Sequence, residues 1–445
     1  METTVGRRNR AAWAGLLVTS VLLCLAFGLP HWLDWEVFAR APRNASSREV
    51  PPLHGLWQPT LFGPGTIPAV VVALLGWRYA ADLSARLPWP RLVLASYAVS
   101  LAWLLSLALV DGTSGISRVL GNPYEYLETA RSVDDVSLLL DSYVDRIPYA
   151  AEDNWPTHVA GHPPALLLFF VALVRIGLGG DLAAGVVVVL LAATIAAAVL
   201  VTLRALGAED LARRAAPFLV LTPAAVFQAV SADAVITAVT AWGVAALALA
   251  ATAARRRSSV AWAVLSGLLL GVSVLMSYGM PLMGVLAVAV LVAARSWRPL
   301  LVAVPAALAV VLAFAALGFA WWDAYPVLRE RYFDGIAADR PITYWWWGNL
   351  AALAVSAGPA LGAGLASLRR SADRVGLLLV GAAVLMVALA DASGMSKAEV
   401  ERIWLPFIPW LTLCCAMLPD HWRRWGLGLQ VLSALVVQHL FYTAW

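Results

Sequence analysis

Apolar residues fill this 445-residue chain in long blocks, with polar residues confined mostly to the segments between them. Many blocks reach or approach the ~20 apolar residues that an α-helix needs to cross a bilayer core of about 30 Å. They predict spans over residues 11–30, 66–82, 91–110, 181–203, 214–230, 234–253, 259–276, 279–294, 299–319, 345–367, 375–391, 403–418 and 426–442. The expected fold class is therefore all-α, a multi-pass transmembrane helical bundle of about 13 spans. One more block, ALLLFFVALVRIGL at 165–178, is short for a crossing at about 14 residues. Pro163-Pro164 open it, and proline suits the first turn of a helix. It is expected to lie on the outer face as an interfacial or re-entrant helix.

Composition removes the soluble alternatives. The chain is 61% apolar and 13% charged with a mean hydropathy of +0.78, whereas soluble domains carry about 25% charged residues. The segment GRRNR followed by apolar residues resembles a signal peptide, but no small-x-small cleavage site follows, so it reads as an uncleaved first span. No linker or fixed-period repeat divides the chain. Residues 1–90 are expected to supply two additional N-terminal spans with outer loop 31–65. Residues 91–445 then form the core, with a long acidic outer loop at 111–180. Cys24, Cys414 and Cys415 all lie in apolar runs and give neither a disulfide framework nor a metal spacing.

Charge sets the orientation. With the N-terminus cytoplasmic, the inner segments hold 19 of the 31 basic residues and 6 of the 27 acidic ones. Every inner loop is then basic, including Arg213/Arg214, Arg255–Arg257, Arg369/Arg370 and Arg423/Arg424, as the positive-inside rule requires. Reading 165–178 as a span would reverse every later loop. The formal charge of +4 is spread over these loops and does not point to nucleic acid.

The stretch 111–164 is the exception to the apolar pattern and holds nine of the 27 acidic residues. A long carboxylate-rich loop between spans is where a membrane protein can keep ionised groups in contact with water, so chemistry is expected there. Most of its carboxylates read as solvated charge. Glu125 differs, because Tyr124 and Tyr126 flank it after the turn-forming pair Asn122-Pro123. Rings around a carboxylate at an interface desolvate it and move it toward general-base chemistry. His158 and His162 have i, i+4 spacing, which suits one helix face or a metal pair, but Gly161 and Pro163 oppose a regular helix there.

Three other outer segments carry candidates. The loop 320–344, WWDAYPVLRERYFDGIAADRPITY, mixes aromatic rings with Arg329, Arg331 and Arg340. Rings at a membrane boundary are ordinary belt residues; the alternative is that they stack on a sugar or isoprenoid while arginine forks hold a phosphate. The last outer loop, SGMSKAEVER, contributes Lys397, the only lysine of the chain, and Arg402. Asp233, in VSADAV, sits at an outer tip between two apolar runs, where an ionisable side chain needs a reason.

The order of these features resembles the GT-C glycosyltransferases: a long acidic outer loop with an E-Y pair, then W…HPP leading into an interfacial apolar helix, then an inbound span ending in basic residues. The segments TPAAVFQAVSADA, LMSYGMPLM, RPITYWWWGNLAA and SGMSKAEVERIWLPFIPWL further resemble an actinobacterial group of integral membrane proteins of the methylthioxylose transferase type. The likeness covers about residues 31–418. It implies a plasma-membrane glycosyltransferase that moves a sugar, such as methylthioxylose, from a polyprenyl-phosphate donor to a lipoarabinomannan-type envelope glycan or glycolipid on the extracytoplasmic face. It also implies membrane lipid as a partner, with no resident cofactor or metal, although a divalent cation is compatible with it.

Carried onto this chain, the resemblance makes Glu125 the general base and Asp233 the acidic residue at the outer end of a middle span. Lys397 and Arg402 become the cations that hold the donor phosphate. His158, His162, Tyr126, Arg329, Arg331 and Arg340 become further substrate contacts. Two departures matter. The extra N-terminal spans bring Asp34 and Glu36 into competition for the role of base, and His162 stands where the aminoarabinose transferases have lysine. The competing class is a transporter or flippase of lipid-linked sugars, which would show intramembrane charge and paired broken helices.

Overall fold

The computed structural model describes residues 4–39, 51–53, 55–368 and 373–442. It is a helical bundle. Its strand content among the described residues is one two-residue pairing of Leu56–Trp57 with Phe441–Tyr442. Seven helices are long and apolar enough to cross a membrane, or nine if each of two sharply bent pairs is one span. Arg369 and Arg370 lie outside the described residues, as do residues 40–50 and 54 of the loop after the first span.

The count falls below 13 because proline and glycine interrupt several apolar blocks. The block at 214–230 becomes a 12-residue helix, Glu209–Val220, which ends shortly before Pro223. The block at 403–418 becomes short pieces around Pro406 and Pro409. The last block is a 21-residue helix, Asp420–Leu440, diluted by Gln430, Gln438 and His439. Pro164–Arg175 is a separate helix of 12 residues; at 1.5 Å per residue it covers about 18 Å, short of a crossing.

The central span is Ala232–Thr252, the most buried of the seven. It packs against Ile195–Ala205, Arg256–Val274 and Met283–Ala294. Without a strong hydrophobic drive between helices in lipid, close approach of small residues holds such a bundle. Gly267 and Gly271 on Arg256–Val274 face Ala303 and Ala307 on the helix Leu300–Ala316, and a Cβ at Gly271 would lie 2.8 Å from the Ala307 carbonyl oxygen. The first span, Thr4–Trp32, packs similarly through Gly15 on Gly362.

One of the bent pairs, Ile342–Ala357 and Ala360–Ser367, turns by 103°. Gly358 makes the corner at φ +85°, which glycine adopts without a Cβ penalty. The backbone groups freed there are taken up by Gln430: its Nε2 donates to the Ala357 carbonyl at 2.6 Å and its Oε1 accepts from the Ala360 amide at 3.0 Å.

The loops gather into two groups. Arg213 donates to the carbonyls of Ser84 and Leu87, Arg214 pairs with Asp373, and Trp77 donates to the Arg424 carbonyl. These join segments assigned above to the inner face. The long loop after Asp111 joins instead the 320–344 and 393–403 segments and the N-terminus of Ala232–Thr252.

Candidate functional site

The long loop is folded, not merely solvated. Asn122 Oδ1 accepts from the Tyr124 amide at 3.0 Å, turning the chain so that Glu125 precedes the helix Tyr126–Arg131. The Tyr143 hydroxyl donates to the carbonyls of Val159 and His162 at 2.9 and 3.0 Å, and Trp155 Nε1 donates back to the Tyr143 carbonyl at 2.9 Å. This ties the loop's second half to the turn that precedes Pro163-Pro164.

Seven of the loop's carboxylates (Glu128, Asp134, Asp135, Asp141, Asp145, Glu152 and Asp153) are exposed, while Glu125 is only 2% exposed. Glu125 Oε1 accepts from Arg402 Nη1 at 2.7 Å. Arg402 Nε makes an ion pair of 2.6 Å with Asp233 Oδ2, which is close but not aligned as a hydrogen bond. Arg402 Nη2 donates to His158 Nδ1 at 2.5 Å, so His158 carries its proton on Nε2. His162 Nδ1 donates to the His158 carbonyl at 2.9 Å, which leaves the Nε2 lone pair free. The Tyr126 ring meets His162 edge-on and stacks on Phe170.

Three remote segments thus converge. Glu125 comes from the long loop, Asp233 from the first turn of Ala232–Thr252, and Arg402 from the short helix Val400–Ile403. Asp233 also lies where the positive end of a helix dipole favours a carboxylate. All three are at most 5% exposed.

Burial alone would raise the Glu125 carboxyl, but the charge of Arg402 and the hydrogen bond it donates outweigh it and hold it below the usual carboxylate range. Burial lowers the His158 imidazole against the pull of Glu125, with Arg402 adding to the lowering. Burial likewise lowers His162, against the pull of Asp233. In this cluster two carboxyl side chains, Glu125 and Asp233, face the one Arg402 guanidinium. The cluster's buried polar atoms are also incompletely used: Glu125 Oε2, the Tyr126 hydroxyl and Ser231 Oγ have no hydrogen-bond partner among the described residues. Native proteins leave few such atoms, and those that remain ask for an explanation.

The other expected cations do not join this cluster. Arg331 is buried with its guanidinium on backbone, donating to the carbonyls of Ile147 and, at 2.8 Å, Trp155. Arg340 donates to the carbonyls of Phe38, Ala39 and Lys397 and to Glu399 Oε1. Lys397 Nζ returns the contact by donating to the carbonyls of Ala337 and Arg340 at 2.9 and 3.0 Å. These cations staple the outer segments together. Arg329 is exposed on the helix Trp321–Phe333, and Asp34 is exposed just beyond the first span. Glu399 pairs with Arg340. The triple-tryptophan segment also has a structural use: Trp345 Nε1 donates to the Val37 carbonyl and the Tyr344 hydroxyl to that of Ala26.

Among the described residues no three His, Cys, Asp or Glu side chains are arranged to hold a metal ion; between Glu125, Asp233 and His158 the Arg402 guanidinium takes the cationic position. Sequence reasoning did not single out Ser231 or Tyr143. Ser231 stood two residues before Asp233 with nothing to mark it, and Tyr143 lacked any motif. Comparison with known protein families, characterised proteins and solved structures finds no match to this chain.

Proposed function

We propose that the protein is a GT-C-type membrane glycosyltransferase that uses a polyprenyl-phosphate sugar outside the plasma membrane. Its N-terminus is cytoplasmic and its acceptor is an envelope glycan or glycolipid. The observation that carries this reading is the buried Glu125 carboxylate, held ionised through Oε1 by Arg402 while Oε2 has no hydrogen-bond partner. Oε2 is the acceptor for the proton of an incoming hydroxyl. As that oxygen bonds to the anomeric carbon, the bond from this carbon to the phosphate oxygen breaks, and the leaving phosphate keeps the electron pair. A glycosyl phosphate already carries a good leaving group, the polyprenyl phosphate, so a second carboxylic acid to protonate it is not needed. The Arg402 pair keeps Glu125 in the ionised form that can accept the hydroxyl proton.

Arg402 in this reading is a positioning residue. Its guanidinium is committed to Glu125, Asp233 and His158, so the donor phosphate must draw its counter-charge from elsewhere.

One observation favours a second reading, a cation-coupled transporter of lipid-linked sugars: buried carboxylates in a bundle that also holds two bent helix pairs. Against it, the Ala357 carbonyl and the Ala360 amide at the sharper bend are taken by Gln430 and are not open to a substrate or ion. Purified protein in detergent, given a short-chain polyprenyl-phosphate sugar and an acceptor glycan, separates the two. A transferase releases polyprenyl phosphate and forms a glycoside without a membrane gradient; a transporter leaves both substrates unchanged.

A further inference from the structure

A second polar-aromatic group lies beyond Tyr143 from the Glu125 cluster. Trp321 and Tyr325, one turn apart on the helix Trp321–Phe333, have rings stacked in parallel with centroids 5.3 Å apart. Tyr278, from the short link after Arg256–Val274, leans on both at 5.8 and 5.9 Å. All three residues are partly exposed. The polar tips behave oppositely: the Tyr278 hydroxyl and Trp321 Nε1 are buried and have no hydrogen-bond partner among the described residues.

That arrangement is the reverse of a membrane belt, in which the ring lies in the apolar layer and the polar tip reaches water or headgroups. Two buried, unpartnered donors on neighbouring aromatic side chains that are themselves partly exposed fit a ligand with hydroxyl oxygens on its rim and C–H bonds on its face. A sugar ring has both.

The group is coupled to the proposed transfer site. The Tyr143 ring meets Phe319 edge-on at 5.4 Å, two residues before Trp321, while the Tyr143 hydroxyl holds the His162 carbonyl. Leu275, three residues before Tyr278, accepts from the Ala165 amide at the start of Pro164–Arg175. The aromatic group is thus joined to the Glu125 cluster through Tyr143 without sharing a residue with it, which suits a sugar next to the reacting one. We infer that Tyr278, Trp321 and Tyr325 form a subsite for a second sugar unit of the acceptor, so that the acceptor is an oligosaccharide chain and not a single sugar. This rests on the glycosyltransferase reading, which supplies the acceptor.

The test uses full-length protein in lipid nanodiscs and saturation-transfer NMR with the methyl glycosides of glucose, galactose, mannose, xylose and arabinose. At least one glycoside should receive saturation on its ring C–H protons. Tyr278→Phe/Trp321→Phe keeps an aromatic ring at each position and removes both donors, and should weaken that binding on the order of tenfold or more. In transfer assays the same double variant should raise KM for an oligosaccharide acceptor and leave that for a monosaccharide acceptor unchanged. Absence of saturation transfer to every glycoside, wild-type binding by the double variant, or saturation reaching the platform only from lipid acyl chains would each overturn the proposal. Failure of the transferase reading would appear instead in the turnover of Glu125→Gln, which the binding measurement does not use.

Discussion

Two sets of cations lie in the same group of loops of this protein, and they are used in opposite ways. Arg331, Arg340 and Lys397 spend their donors chiefly on backbone carbonyls, and Arg340 and Lys397 each hold the other's carbonyl. Arg402 spends its donors on side chains, two of them carboxylates from segments far apart in sequence, and leaves a buried carboxylate oxygen unpaired beside it. The first pattern is complete in itself and fixes loop geometry. The second holds charges at a cost that only function or a compensating ligand explains, because a buried ion pair is weak evidence for stability. The type of partner, more than burial, separates a staple from a site.

The largest effect that would test this contrast is Arg402→Ala. It strands two buried carboxylates, and the loss of one partner of a buried pair costs about 3–5 kcal/mol. Both folded yield and transfer activity should fall steeply. Arg402→Lys should also fail in turnover, because one ammonium cannot serve three partners in a planar fork. If Arg402→Lys keeps wild-type turnover, the positioning role is wrong.

Arg340→Ala should show the opposite profile. Losing its bonds to three carbonyls and Glu399 should lower thermal stability by about 2–4 kcal/mol. Turnover per folded molecule should stay within a few-fold of wild type. A selective loss of turnover without a stability change would move Arg340 from staple to site.

Acidification offers a milder probe. In the folded protein His158 and His162 lie below their ordinary ~6.5. The unfolded chain therefore binds more protons there, so the stability they contribute is complete above about pH 7 and is lost as pH falls toward their folded values. Protonated His158 cannot accept from Arg402. Glu125, held below the carboxylate range, acts with the same sign at lower pH, its contribution being lost as pH falls through its folded value. Melting curves from pH 8 to pH 5 should show falling stability, and His158→Gln should flatten part of that dependence. The smallest effect is expected at exposed Asp34: Asp34→Asn should change stability by no more than about 0.5 kcal/mol and leave turnover intact.

Much of this was legible in the sequence. Apolar block length predicted a helical membrane protein, and the polar stretch after Asp111 marked the loop that carries Glu125, Tyr126, His158 and His162. The position of Asp233 between two apolar runs marked it as unusual. Partner choice was not legible. Nothing local distinguishes Arg402, which meets Glu125 across 277 positions of sequence, from Arg340, which ends on carbonyls. Donors of one type are sorted only by which backbone or side chain the packing brings near. Span number was overestimated for a related reason: apolar blocks record burial, while prolines such as Pro223, Pro406 and Pro409 decide whether the helix runs on.

The central claim is that Glu125 Oε2 receives the acceptor proton. It is tested most directly by turnover of purified Glu125→Gln with a short-chain polyprenyl-phosphate sugar, alongside its melting curve. Glutamine keeps the shape and still accepts from Arg402, so the variant should fold while transfer drops on the order of 10²–10⁴-fold. Near-wild-type turnover in a folded Glu125→Gln would contradict the account.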